Sequence, residues 1–420
     1  MKLKKNPSIT FSRFNDTSLN DTWLCTIPAN NGKEIRITIP EKVKKFIELF
    51  QVGNDLPSIL GNKSINNVEF NSYSKLIDEL LVPMGILLSA GNNFKAPELK
   101  KEKPGHMQIQ LPVIKPSVVN FFSQLTQFMF KKSFFIIAVV LCFFYQIKFY
   151  TSTAPFNNEL WDLSALEQIQ ILSIVAFGLF FHELGHAAAA FKYGCRKVEL
   201  GIGWYICFLV FYAELSEAWR LNRKERVIID AGGMYFQSIF TTLLILIYIQ
   251  ESSKVIFYAV TMLNISFIWN LNPFFRMDGY WIASDALGIS NLRDSAKKEM
   301  VRIISTPFEK KEIVNTHLNS KSKKLLFAYT LFSNIFFIYM LYYFSKKFAS
   351  SITQELPKIF NNLEVNIFSR LNMLEIMVLL FGNLFQIMLV CFFSIFIYRA
   401  IQSLLNWIKL IYSLLKSKKT

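Results

Sequence analysis

Charge is scarce in this chain. Asp, Glu, Lys and Arg together make up 18% of its 420 residues, against roughly 25% in an average soluble domain. Acid is scarcer than base, with 30 Asp and Glu against 46 Lys and Arg, a formal net charge of +16. Cysteine is also sparse. The five present (Cys25, Cys142, Cys195, Cys207 and Cys391) form no CxxC pair, which argues against a disulfide framework or a cysteine zinc site. Most lie among apolar neighbours and read as small core or lipid-facing residues. The opening "MKLKKNPSITFSRFNDTSLND" lacks an apolar core, so no secretory signal is expected and the N-terminus should stay in the cytoplasm. In a soluble protein, +16 would suggest nucleic acid. Here the aromatic residues interleave with apolar ones instead of a basic stripe, so no nucleic-acid partner is expected. The Lys and Arg gather in loops, as they do beside an anionic lipid surface.

Apolar residues, by contrast, are abundant at 52%, and they come in long runs. Six candidate spans have near the ~20 apolar residues that a crossing helix needs: about 133–150, 166–191, 227–249, 255–275, 325–344 and 374–398. The expected fold is a polytopic α-helical membrane protein. The linker at 101–132, the 192–226 region, the 281–324 loop and the tail "KSKKT" are all basic, whereas "TSTAPFNNELWDLS" has no Lys or Arg. Both termini are therefore expected in the cytoplasm.

The expected organisation has a cytosolic domain at 1–100, a polar linker at 101–132, and a first span with its external loop at 133–164. A three-span core at 165–282, a basic loop at 283–324 and C-terminal spans with an amphipathic tail at 325–420 follow. In the first domain "TWLCTI" and the alternating "KEIRITI" read as paired strands. "PEKVKKFIELF" places Val43, Phe46, Ile47 and Phe50 on one helical stripe, and Tyr73, Leu76, Ile77, Leu80 and Leu81 form a second. The domain is small and α+β. Between the second and third spans, "VELGIGWY" alternates strictly and "ICFLVFY" can fold back on it. Such a membrane-associated β-hairpin must pack on protein or line a water-filled cavity, because open sheet edges do not face lipid.

The second span contains "LFFHELGHAAAA". His182 and His186 are four apart and share one helical face. Their ring nitrogens can converge on one ion, and Glu183 can reach a water on it. This is the HExxH arrangement of zinc hydrolases, with the Glu as general base. Polar groups at bilayer depth usually have a job, and two of the chain's four histidines fall in this one turn. A catalytic Zn2+ wants three protein ligands. "NLNPFFRMDGYW" offers Asp278, with Asn270 and Pro273 loosening the helix before it and Gly279 letting the backbone turn after it. Taken alone, Asp278 reads as a loop residue capping a turn.

His182-Glu183-Leu184-Gly185-His186 followed two spans later by Asn270-Leu271-Asn272-Pro273-Phe274-Phe275-Arg276-Met277-Asp278-Gly279 resembles the signature pair of site-2 protease-type intramembrane zinc metalloproteases, over about 165–282. The resemblance implies that His182, His186 and Asp278 hold zinc and that Glu183 activates water. It implies that Asn270, Pro273, Gly279 and Gln237 position the substrate. The family's Gly-x-x-x-Asn appears here as Gly233-Met234-Tyr235-Phe236-Gln237, with Gln for Asn. Tyr280 stands where many members have a second Gly. "ELSEAWRLNRKER", "GMYFQ" and "RMDGYW" resemble the peptide zinc metalloprotease branch, whose genes often accompany ribosomally made, modified peptides. The N-terminal region resembles the PqqD-like winged-helix domain, which implies a precursor leader peptide as partner. The substrate expected is then a membrane-associated or modified peptide, cleaved by hydrolysis. The alternative is a catalytically silent membrane scaffold for peptide maturation or export. A transporter ranks last, because the first, fifth and sixth spans are almost wholly apolar.

Overall fold

In the computed structural model the residues described are 2–14, 22–28, 34–50, 54–55, 73–89, 107–152, 163–205, 208–271, 276–289, 292–296, 320–350 and a few positions between 394 and 405. The N-terminal part is α+β, as its patterning predicts. Strands β1 (Lys2–Lys5), β5 (Asn54–Asp55) and β6 (Leu87–Ser89) form one sheet in the order β5-β1-β6. Strands β2 (Thr10–Phe14), β3 (Thr22–Pro28) and β4 (Glu34–Pro40) form a second in the order β2-β3-β4. All pairs are antiparallel, with Cys25 opposite Ile37 and Trp23 opposite Ile39. Helix α1 (Glu41–Glu48) starts directly after Pro40, where the missing N–H costs nothing. Phe46, Ile47 and Phe50 point inward and meet Ile77 and Leu81 of α2 (73–81), whose second half is π-helical. The expected helical stripes thus close over the sheets.

The rest of the chain is mostly helical. Among the described residues, three helices are long and apolar enough to cross a membrane. They are α4 (Lys132–Ser152), α5 (Ala165–Lys192) and α6 (Arg223–Glu251). Helix α7 (Lys254–Asn270) is apolar but shorter, α8 (Asp278–Leu287) is short, and α9 (Ser320–Ser350) follows. The expected sixth span and the tail lie almost wholly outside the described residues. Both α5 and α6 begin with a capping box, Ser164 with Glu167 and Asn222 with Glu225. In each, two otherwise unpaired helix-end N–H groups are satisfied reciprocally.

Two expectations need correcting. The 101–132 segment is more than a linker. Met107–Ile114 is a strand, β7, and Pro116–Thr126 is a helix, α3, which leads through a 3-10 turn at Gln127–Phe130 into α4. Strand β7 pairs with β8 (Leu200–Tyr205), and β8 pairs with β9 (Phe208–Ala213), so the expected hairpin is two-thirds of a three-stranded sheet. Gly201 allows this, since a Cβ there would run into the Leu111 carbonyl and the Tyr212 ring. The backbone also does not turn away after Gly279. It enters α8 at Asp278, with Met277 extended just before.

Helices α5 and α6 approach backbone to backbone. A Cβ on Gly185 would collide with the Gly232 carbonyl oxygen, and one on Gly232 would stand 2.7 Å from the Gly185 oxygen. Ala187, Ala188, Ala189 and Ala190 are all buried in the surrounding core, with the Ala189 Cβ next to Gly232. Small residues let helix backbones close to this distance in a bilayer, where packing substitutes for a hydrophobic driving force.

Two outcomes follow. Gly185→Leu overpacks the crossing, which costs about 1–3 kcal/mol or more, so purified variant protein should lose folded material at a lower temperature than the parent in detergent. Burial pushes the Cys25 thiol up to about 11, with Lys5 offsetting part of the rise. Alkylation of Cys25 by a maleimide at neutral pH should therefore be negligible in the folded chain and prompt after denaturation, read by peptide mass.

Candidate metal centre

His182 and His186 lie in the C-terminal half of α5, one turn apart. Both are buried. His186 is six residues from Lys192, so about 9 Å from the end of the helix at 1.5 Å per residue. Each imidazole is held from behind. His182 Nδ1 is 2.9 Å from Gln237 Oε1 on α6, and His186 Nδ1 is 2.8 Å from the carbonyl oxygen of Ile229. The Gln237 amide is oriented by its own second bond, since Nε2 donates to the Leu263 carbonyl on α7 at 2.8 Å. Both partners facing the Nδ1 atoms are acceptors, so both Nδ1 atoms carry the proton. Both Nε2 atoms are then lone pairs.

Those two lone pairs face each other at 3.1 Å. Asp278, the first residue of α8, closes the third side. Its Oδ2 is 2.9 Å from His182 Nε2, and its Oδ1 is 3.5 Å from His186 Nε2. Although it is that close, Asp278 Oδ2 is buried and makes no hydrogen bond, which is what two acceptors in contact must do. Among the described residues these three side chains form a group able to hold a metal ion, their ligand atoms all within 4.8 Å of one another. A single added proton could bridge one of the contacts, whereas a cation at the centre serves all three. The spacing fits. Tetrahedral ligands at 2.0–2.1 Å from zinc stand about 3.3 Å apart; the two Nε2 atoms are 3.1 Å apart, one Asp278 oxygen is 2.9 Å from His182 Nε2, and the other is 3.5 Å from His186 Nε2. Gly233 leaves the room, for a Cβ there would strike the Nε2 atoms of both histidines.

The frame around Asp278 is equally specific. Arg226 of α6 directs Nε and Nη2 at Asp285 Oδ1, at 2.9 and 2.5 Å, and its Nη1 donates to the Leu221 carbonyl at 2.9 Å. This buried pair clamps α8 to α6 one helical stretch away from Asp278. Gly279 sits against the backbone of Leu271, with no room for a Cβ, so the start of α8 abuts the end of α7. Glu183 is turned toward the sheet. Its carboxylate lies against the backbone amide of Ala213 on β9, within electrostatic range of both imidazoles and Asp278.

The sequence reading named His182, Glu183, His186 and Asp278, and these four share one site here. Gln237, expected to position substrate, has its amide engaged by His182 and Leu263. Asn270 closes α7. Pro273 lies outside the described residues. Arg226, Asp285 and the Ala213 amide were not anticipated. Arg226 and Asp285 are 59 positions apart, and nothing in the local pattern of either announces the other.

These features define a mostly helical protein in which three of the described helices are long and apolar enough to cross a membrane, with a potential His-His-Asp metal centre. Among known proteins the chain is similar to the "Putative peptide zinc metalloprotease protein YydH" of Bacillus subtilis (strain 168), with 30% identity over 117 residues. That stretch is 27% of this chain and 46% of the relative, so the chain spans less than half the length of the protein it matches. The likeness is a distant one to a protease family, and it is compatible with zinc. No family profile matches the chain, and no solved structure does.

Metal analysis tests the centre directly. The purified chain should bind one zinc, and His186→Ala should bind less than a tenth of that, because losing one of three ligands costs more than tenfold in affinity. Gly233→Ala should lose the metal as well although it alters no ligand, by filling the space where the ion would sit.

Proposed function

We propose that the chain is an intramembrane zinc metalloprotease of the site-2 protease type that hydrolyses a peptide bond in a membrane-associated or ribosomally made, modified peptide. The observation that carries this reading is the convergence of two proton-free imidazole nitrogens and a carboxylate beside Glu183. His182, His186 and Asp278 would hold Zn2+. When bound, the ion supplies Lewis acidity toward a peptide carbonyl and toward water.

The protein groups do the rest. Glu183 takes the proton of the attacking water and returns it to the leaving amine. The Ala213 amide holds the Glu183 carboxylate in place for both transfers. Gln237 and the Ile229 carbonyl keep the two imidazoles in the tautomer that presents Nε2, a task that belongs to the groups behind the ligands.

Substrate orientation falls to β9. Glu214 donates its N–H to Glu199 across the β8–β9 pair at 2.8 Å. In an antiparallel pair, successive residues point their N–H and C=O to opposite sides. Phe211 therefore presents its N–H and C=O, and Ala213 its C=O, to the edge that no described strand covers, while the Ala213 N–H turns to Glu183. An extended peptide added there as a fourth strand would bring its backbone to the site. A helical substrate hides its backbone in hydrogen bonds and would have to open first. Asn270 and Gly279, at the junction of α7 and α8, flank the same approach. The N-terminal α+β domain, by its PqqD-like pattern, is the proposed holder of a precursor leader. The basic loops support a cytoplasmic position for both termini.

Glu183→Gln separates this reading from that of a silent scaffold. The variant should keep its zinc, measured by metal analysis, and lose cleavage of a co-expressed peptide substrate by a factor on the order of 10² or more. Cleavage at the parental rate would overturn the assignment of Glu183.

A further inference from the structure

Helix α3 carries two different faces. Val119 and Ser123 are buried against the protein, and Asn120 Nδ2 donates to the Arg196 carbonyl at 2.9 Å. The other face is apolar, and no described residue covers it. Val118, Phe121, Phe122 and Leu125, spaced i, i+3, i+4 and i+7, form one stripe, and Phe128 of the following turn extends it. All five are between 45% and 60% exposed. An apolar stripe of that kind on a soluble protein would be an aggregation hazard. Here it runs into another apolar surface. Phe128 packs edge-on against Phe134 at 5.2 Å, and from Phe134 onward α4 exposes an almost unbroken apolar wall. Leu111 and Val113, on one face of β7 just before α3, are similarly exposed.

The charges that flank the stripe along the chain have one sign. Lys115 precedes α3, and Lys131 and Lys132 follow it. No Asp or Glu occurs between Glu102 and Glu159. Lys192, at the end of α5, reaches over to the Phe130 carbonyl at 2.7 Å, and Arg196 lies across the Phe191 ring. A helix with an apolar stripe, a basic rim and a polar back (Ser117, Asn120, Gln124) has the makeup of one that lies in a lipid interface.

We infer that α3 is an in-plane helix whose Val118–Phe121–Phe122–Leu125 stripe beds into the anionic leaflet at the Lys131–Lys132 end of α4. The inference rests on the reading of α4 as a membrane span, because its surface is the continuation of that lipid-facing wall. It also bears on the metal centre. The turn after α3 stacks Phe130 on Phe236, ring centroids 5.6 Å apart, next to Gln237. The strand before α3 is one edge of the sheet whose other edge faces Glu183. Anchoring α3 at the headgroups therefore fixes the level of the sheet. The segment cleaved would be one lying at that leaflet, rather than one held at the bilayer centre.

Photocrosslinking tests this with the full chain. Benzoylphenylalanine replaces Phe121, Phe122 or, on α4, Phe143, which is 68% exposed. Gln124 is replaced in the same way as the polar-side control. The proteins are reconstituted in phosphatidylcholine vesicles containing phosphatidylglycerol, irradiated, and analysed by mass spectrometry. Lipid adducts at positions 121 and 122 comparable in yield to those at 143, and several-fold lower at 124, are the expected result. Adducts at 121 and 122 with a second copy, or with the C-terminal part of the chain, would overturn the inference. So would a yield at those positions no higher than at 124 while 143 labels lipid. Failure to label lipid at 143 would overturn the membrane reading beneath it.

Discussion

Helices α5 and α6 touch backbone to backbone at Gly185 and Gly232, and that contact sets every other distance in the site. A side chain at either glycine would push the axes apart. The Ile229 carbonyl and the Gln237 amide would then no longer reach His186 and His182, which depend on contacts of 2.8 and 2.9 Å. Without those acceptors the imidazoles are free to present either nitrogen, and the convergence of two lone pairs is lost. Ala189, one turn further along, faces Gly232 and continues the same device. It spends buried surface on closeness instead of on large apolar side chains. The convergence of His182, His186 and Asp278 is therefore a consequence of small residues as much as of the three side chains themselves.

A site of this kind is costly to place in an apolar setting. Buried acceptors that face each other repel, and an uncompensated carboxylate in low dielectric is unfavourable. The chain answers with structure on both sides. Arg226 neutralises Asp285 in a buried pair that holds α8, and α8 in turn delivers Asp278. The pair has a positional job: breaking it would leave a buried charge unmatched and release the third ligand together. On the other side, the edge of β9 that no described strand covers supplies backbone groups where a helix would supply none.

How much of this could be read along the chain depends on the range of the interaction. The HExxH turn is legible because its chemistry needs residues four apart. The β8–β9 pair is legible because alternation has a period of two and the strands are nearly adjacent. The helical stripes of α1 and α2 follow from the same local logic. Strand β7 was missed: "MQIQLPVI" carries a proline and sits in a polar, basic stretch, and its partner lies about ninety positions later. Helix α3 was missed with it, hidden in what read as a linker. The family pattern pointed to position 237, yet it could not say that a Gln there would turn toward His182.

The linear order of residues was enough to specify the two imidazoles and their neighbouring carboxylate, the runs long enough for lipid and the alternating hairpin. Each of these is a matter of spacing within a single element, where helix and strand geometry translate number into direction. Which oxygen came third, which nitrogen of each ring was left bare, and which edge of the sheet looked toward Glu183 were decided by the packing of α5, α6, α7, α8 and β9 against one another. Those contacts join residues tens of positions apart, and no local period encodes them.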